Sequence, residues 1–267
     1  MYRRILIPVR EPSEVEPLIR FAAGLLDADG EIRLLHVIPT TTLPELTRQW
    51  RASVNLIVPA HETGAALDVR VEPEVRASVD VPGVILESAE THGTDAILMT
   101  LGGDRRARRP FFGHVTSAIL HHAPCDVVVI NRLALVEGSL PRILVPTFSE
   151  LAPPKLLRLA EAMAVRNHGI PIVTLEISLR GRGGHGAVAS RSPRGVPIEH
   201  RRSFFSRALL GHRRELAELI LGEAARQRYG LLLVGEEAIH PEGPLLTRRF
   251  LEELFRAAPC PVMAVRG

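Results

Sequence analysis

Long apolar runs are missing from this chain. Nowhere does it offer the roughly 18 to 20 uninterrupted apolar residues of a membrane span, and Arg3 and Arg4 lead straight into a strand-like segment rather than a signal-peptide core. A cytoplasmic protein without membrane insertion is the expectation. Cysteine is scarce: Cys125 and Cys260 are the only two in 267 residues. They lack the density of a disulfide scaffold and any paired metal-ligand spacing. Lysine occurs once, at position 155. Neither a Gly-x4-Gly-Lys-Ser/Thr phosphate loop nor a Gly-x-Ser-x-Gly nucleophile elbow is present. What remains is ordinary globular composition, 46% hydrophobic and 24% charged, which excludes a wholly disordered or collagen-like chain.

The net charge of +3 conceals a local imbalance. Residues 180–214 hold nine arginines against one acid, Glu199, so this window carries +8 and the rest of the chain −5. Nucleic-acid proteins spread basic charge over a folded face with stacking aromatics, whereas this stretch is mostly Gly, Ser, Pro and Arg. A flexible basic loop over about 180–197 is expected, and nucleic acid is not the expected partner. Gly181-Arg182-Gly183-Gly184-His185-Gly186 formally matches a dinucleotide fingerprint. That motif needs a helix directly after it, and Ala187 to Gly195 show no helical spacing.

At 267 residues the length suggests two domains, and comparison of the chain with itself reveals a repeat. Arg4-Ile5-Leu6-Ile7-Pro8-Val9 returns as Arg142-Ile143-Leu144-Val145-Pro146-Thr147, and Leu18-Ile19-Arg20-Phe21-Ala22 as Leu156-Leu157-Arg158-Leu159-Ala160, both at an offset of 138. Later the offset is 135: Ala96-Ile97-Leu98-Met99 faces Leu231-Leu232-Leu233-Val234, and Ala123-Pro124-Cys125 faces Ala258-Pro259-Cys260. Each copy alternates apolar strands with amphipathic helices, the pattern of parallel β and α units. Because the strands are continuously apolar, both faces of each sheet should be covered. The boundary is placed near Glu137-Gly138-Ser139, giving domains 1–137 and 138–267. Gly93 and Gly230 are expected to end helices, and the two cysteines to be small buried side chains at equivalent strand starts.

One segment carries chemistry. Between the strand Ala96 to Met99 and a helix beginning near Val115 lies a stretch with glycines at 102, 103 and 113 and arginines at 105, 106, 108 and 109. Glycines let amide groups point at an anion, a helix N-terminus adds partial positive charge, and arginines add counter-charge. The bland alternative is an exposed basic loop. His121 and His122 are neighbours on a helix and do not share a face, which argues against a joint metal or acid-base role.

The Ile-Leu-Ile-Pro-Val opening, the Leu-Leu-His-Val second strand, the Asp95-led fourth strand and His-Ala-Pro-Cys-Asp-Val before the fifth resemble the universal stress proteins in their tandem form, over nearly the whole chain apart from about 180–210. The resemblance implies an α/β fold of two Rossmann-like doubly wound domains. Each would be a five-stranded parallel sheet in the order 3-2-1-4-5 with helices on both faces. It also implies ATP held by Gly-x2-Gly-x9-Gly followed by Ser or Thr, with an acid just after the first strand holding the adenosine. Carried onto this chain, Gly103 and Gly113 match. Thr100 stands at the first glycine, His114 at the Ser or Thr, and Arg10 at the acid, where a cation replaces an acceptor. The candidate site is therefore Arg10, Thr100, Gly103, Arg105, Arg106, Gly113 and His114. In the second copy only Gly235 is kept, with Ala238, Arg248 and Arg249 at the other motif positions and Thr147 at the acidic one, so no ATP is expected there. The implied function is a non-enzymatic cytoplasmic stress-response or regulatory protein with an unknown protein partner. Its first domain would take ATP, another adenine nucleotide or another anion, and a homodimer is open. The alternative is a scaffold or accessory regulator of a membrane transporter that binds no nucleotide.

Overall fold

The computed structural model describes residues 1–40, 42–101, 113–130, 141–147, 154–178, 188–204, 213–235 and 248–266. The chain divides into two compact units, Met1–Gly102 with Phe112–Val129, and Gly103–Phe111 with Ile130–Gly267.

In the first unit the order is β1 (Tyr2–Val9), α1 (Val15–Ala23), β2 (Leu26–Ile38), α2 (Leu43–Ala52), α3 (Val54–Leu67), β3 (Arg70–Ala77), α4 (Val81–Thr91), β4 (Ala96–Thr100), α5 (His114–His122) and β5 (Asp126–Ile130). The sheet runs β3-β2-β1-β4-β5, with β1 parallel to both β2 and β4. Its apolar runs are covered on both sides: Ile5, Leu6, Ile7, Ile97 and Leu98 are at most 1% exposed. Burying such side chains contributes about 1.5 to 3 kcal/mol each. β3 is different. It alternates Arg70, Glu72, Glu74 and Arg76 with Val71, Pro73 and Val75, and those charges pair with Glu31 and Arg33 of β2 and Glu87 of α4. A proline and a row of charges suit an edge strand, where they discourage pairing with another chain. The two ends of the unit's sequence meet where the Tyr2 hydroxyl donates to Asp126 at 2.9 Å.

The second unit repeats the plan with β6 (Ile143–Thr147), α6 (Pro154–Arg166), β7 (Ile172–Ser178), β8 (Val188–Arg191), β9 (Pro197–Phe204), α7 (Arg213–Arg226), β10 (Leu231–Gly235), α8 (Arg248–Ala257) and β11 (Val262–Arg266). Here the order is β11-β10-β6-β7-β9-β8. Leaving out β8, the strands taken in chain order again lie 3-2-1-4-5, as expected of a doubly wound sheet.

β8 is the addition. The stretch expected to be a loop is, over 188–197, one arm and the turn of a hairpin, with Val188, Ala189, Ser190 and Arg191 paired antiparallel to β9. Residues 179–187 lie outside the described residues. Local composition misled because the turn is fixed from a distance. Gly195 adopts φ 80°, which favours glycine, and buried Glu161 of α6 accepts from the Ser192 hydroxyl at 2.5 Å and the Arg194 N–H at 2.9 Å. A second correction concerns helix ends. Gly93 has φ 56° after α4 as expected, but α7 is followed by Arg228 at φ 50°. Gly230 instead donates its N–H to the Arg142 carbonyl at 2.9 Å.

Neither cysteine is in a disulfide; Cys260 is buried and Cys125 half-buried. Burial, assisted at Cys125 by the charges of Asp126 and Asp95, pushes both thiols from an ordinary 9.0 to about 11. The thiolate is the reactive form, and burial favours the neutral one. Iodoacetamide at pH 8 is thus expected to label native protein about a hundredfold more slowly than unfolded protein, the gap closing as pH rises through about 11. Equal rates at pH 8 would contradict this environment. Glu161→Ala, which leaves the hairpin turn without its acceptor, should cost about 1 to 3 kcal/mol. It should also speed trypsin cleavage after Arg191 and Arg194, and unchanged cleavage would show that the carboxylate is not what holds the turn.

Candidate functional site

In the first unit the chain leaves β1 to build β2 and β3 on one side, then returns to place β4 and β5 on the other. The connections at the carboxyl ends of β1 and β4 therefore diverge to opposite faces and leave a crevice, where open α/β sheets take their ligands. A cavity of about 500 Å³ occupies that position, within the roughly 300 to 1,000 Å³ of small-molecule sites. Its walls include Pro8 and Val9 at the end of β1 with Arg10 after it, Leu35, His36 and Val37 of β2, Met99 and Thr100 of β4, and the N-cap Gly113 with His114, Val115 and Thr116 of α5. Glu14 and Gln49 complete its polar lining.

Four of the seven expected site residues, Arg10, Thr100, Gly113 and His114, line this one cavity. Gly103, Arg105 and Arg106 lie outside the described residues. Gly113 is the N-cap of α5 at φ −64° and ψ 168°, with no side-chain cap, so the first-turn N–H groups are left for another acceptor. A Cβ added there would meet nothing within 4 Å. Neither backbone strain nor packing against the described residues demands glycine at this position. Arg10 is less committed to the cavity than its charge suggests. Its side chain is 72% exposed and its guanidinium lies 3.4 Å from Glu11, a surface pair of little energetic weight.

Sequence reasoning missed Glu14. It closes a short 3-10 turn, Pro12–Glu14, and although acidic it is only 6% exposed. One carboxylate oxygen accepts from the Thr100 hydroxyl at 3.2 Å and the other from the Arg10 N–H at 3.4 Å. The acceptor that Arg10 displaces from the strand end is thus present four residues later. The signal was the proline-led turn, which brings the chain back over the strand end. His36 was missed too; its Nδ1 lies 3.0 Å from the Val9 carbonyl. A carbonyl only accepts, so Nδ1 carries the proton and Nε2 of the neutral ring is an acceptor.

The equivalent place in the second unit is built otherwise. Gly235, which stands where Thr100 stands in the first, would put a Cβ 3.1 Å from both terminal carbons of Leu156 on α6. A side chain here would require Leu156 to give way by a few tenths of an ångström. Thr147 is 1% exposed at the end of β6, and α8 begins at Arg248 and Arg249, where α5 is preceded by Gly113. Ala238 is outside the described residues. The rings of His121 and His122 are 6.3 Å apart, edge to face. Among the described residues no group of three or more His, Cys, Asp or Glu is placed to hold a metal, and no helix is long and apolar enough to cross a membrane.

The model of the universal stress protein family matches residues 1–131. A Staphylococcus haemolyticus protein named for the same family is 25% identical over 157 residues, 55% of this chain and 95% of its own length. A Staphylococcus epidermidis counterpart is 26% identical over 160 residues, 56% of this chain and 96% of its own length. In fold, the chain is similar to a universal stress protein from Archaeoglobus fulgidus, with a TM-score of 0.65, 17% identity, and 98% of this chain and 95% of that one covered. It is also similar to the cytoplasmic domain of a prokaryotic cation chloride cotransporter, with a TM-score of 0.56, 10% identity, and 99% and 95% covered. The opening strand motif and the strand order of the first unit agree with that match: residues 1–131 are similar to the universal stress protein family.

Proposed function

We propose that this chain is a tandem member of the family, with domains at 1–137 and 138–267, that acts without catalysis as a cytoplasmic stress-response or regulatory protein working through a protein partner. Its first-unit cleft takes an adenine nucleotide or another phosphate-bearing ligand. The observation that carries this reading is the convergence of Arg10, Thr100, Gly113 and His114 on one cavity at the strand-order reversal. In this reading the phosphate meets the uncapped N-terminus of α5, whose backbone dipoles favour an anion. Gly103, Arg105 and Arg106, which precede that helix in sequence, are assigned to the same end. Glu14 supplies an acceptor for ligand hydroxyl or amino donors, so more sugar selectivity is proposed than Arg10 alone would allow. The second unit is assigned no nucleotide.

A second reading has two observations in its favour. A buried carboxylate in the cleft opposes a nearby phosphate, and the fold is also that of a transporter's cytoplasmic domain. On that view the chain is a scaffold or accessory regulator of a transporter, and the cleft holds no nucleotide.

Gly113→Asp separates the two. Aspartate is a favoured N-cap, the φ of −64° suits it and nothing obstructs its Cβ. The variant is therefore expected to fold at least as stably as the parent, while setting a negative charge where a phosphate would sit. Calorimetry should show ATP binding to the parent that weakens with salt and is lost in the variant. ATP should raise the parent's thermal midpoint alone. Unchanged affinity in the variant, or no heat from the parent at millimolar ATP, would favour the scaffold.

A further inference from the structure

Beside the cleft lies a helix that is barely attached to its unit. None of the ten residues of α2 is buried, whereas α1 buries Val15, Leu18, Ile19 and Ala22, and α3 buries Leu56, Ala60, Thr63 and Gly64. Two large apolar side chains of α2 stand in solvent, Leu43 at 76% and Trp50 at 53% exposure. Yet Gln49, on the same helix, lines the cleft, as does Pro39 in the strap leading to it. An element with so little buried apolar surface belongs to the low end of local opening free energies.

The attachments at its two ends differ. At the far end, buried Ser53 joins α2 to α3. Both its N–H and its hydroxyl donate to the Gln49 carbonyl at 3.0 Å, and its own carbonyl accepts from Leu56 and Ile57. This joint continues into the anchored face of α3. At the near end the Thr40 N–H donates to the Ile38 carbonyl at 2.8 Å, the Thr42 N–H to the Thr40 hydroxyl at 3.2 Å and the Leu46 N–H to the Thr42 carbonyl at 2.9 Å, but none of Pro39, Thr40 and Thr42 is buried. Thr42, the N-cap, makes no side-chain cap. The helix is thus joined to the anchored α3 at Ser53 and carries no buried side chain of its own.

We infer that α2 is a ligand-responsive lid on the first-unit cleft and that Trp50 closes over an aromatic base; this rests on the cleft being a nucleotide site. Successive residues advance by about 100° around a helix, so Leu46 and then Trp50 follow Gln49 around the surface of α2. A roll of about a quarter turn about the Ser53 joint carries Leu46 and Trp50 toward the cleft. In the free protein such a roll gains little, because it would close on water. With a purine in place, Trp50 covers an aromatic face, and apolar area is removed from water on both sides. The ligand thus interacts differently with the open and closed arrangements, which is what a ligand needs in order to shift such an equilibrium.

Trp50 is the single tryptophan of the chain, so its emission reports on α2 alone. The full chain is titrated with ATP while calorimetry follows binding. Saturation should shift the emission to shorter wavelength and remove most of the iodide quenching. Amide exchange over 43–52 should slow with it. Trp50→Ala should weaken ATP binding about tenfold, with Trp50→Phe restoring most of the affinity; being exposed, the position tolerates both without unfolding. Binding heat with unchanged emission, quenching and Trp50→Ala affinity overturns the lid and leaves the cleft reading standing. No heat at millimolar ATP overturns both.

Discussion

The constraint on which the first unit depends is the reversal of strand order at β1. Parallel strands can be joined only by crossovers, and the crossover has one hand. A chain that adds β2 and β3 on one side of β1 and then β4 on the other must therefore send its helices to opposite faces. Where they part, no connection can fill the space beyond the carboxyl ends of β1 and β4. The cleft is accordingly a property of the winding. Its lining is a property of particular residues: Glu14 comes from the turn that starts the first crossover, Thr100 from the returning strand, and their hydrogen bond spans the gap between them.

Most of that winding was legible in the sequence, for a physical reason. Strands buried on both faces must be apolar throughout, and runs such as Ile5-Leu6-Ile7 and Ile97-Leu98-Met99 are therefore conspicuous, as are their copies at 143–145 and 231–234. Of the four expected positions that line the cleft, Thr100, Gly113 and His114 follow from the fixed spacing of a motif and Arg10 from its place after the first strand. What escaped was fixed from a distance. The hairpin of β8 and β9 has the composition of a loop, and its turn is held by Glu161, some thirty residues earlier in the chain. Glu14 reads locally as one more acid in a run of Glu11, Glu14 and Glu16. Only the fold makes it the buried one. Gly230 was given a capping role by its position after a helix, whereas its amide is used to join β10 to the strand beside it.

The two units show how one winding can serve differently according to what stands at the strand ends. In the first, glycine caps α5 and an acid turns inward. In the second, α8 opens on two arginines and the strand end packs against α6. Neither change touches the central strands, which are apolar in both units and share the order 2-1-4-5, so the loops and caps at the strand ends vary while the core stays fixed.

Gly235 gives this contrast a further meaning. A motif glycine that survives where its companions have been replaced looks like the trace of a lost binding site. Here the terminal carbons of Leu156 crowd the place of a Cβ and would have to shift by a few tenths of an ångström to admit one. The glycine is thus accommodated by its own neighbour, and its survival needs no ligand to explain it. Counting surviving motif positions weighs Gly235 and Gly113 equally, although of the two only Gly113 has no described residue within 4 Å of where a Cβ would stand.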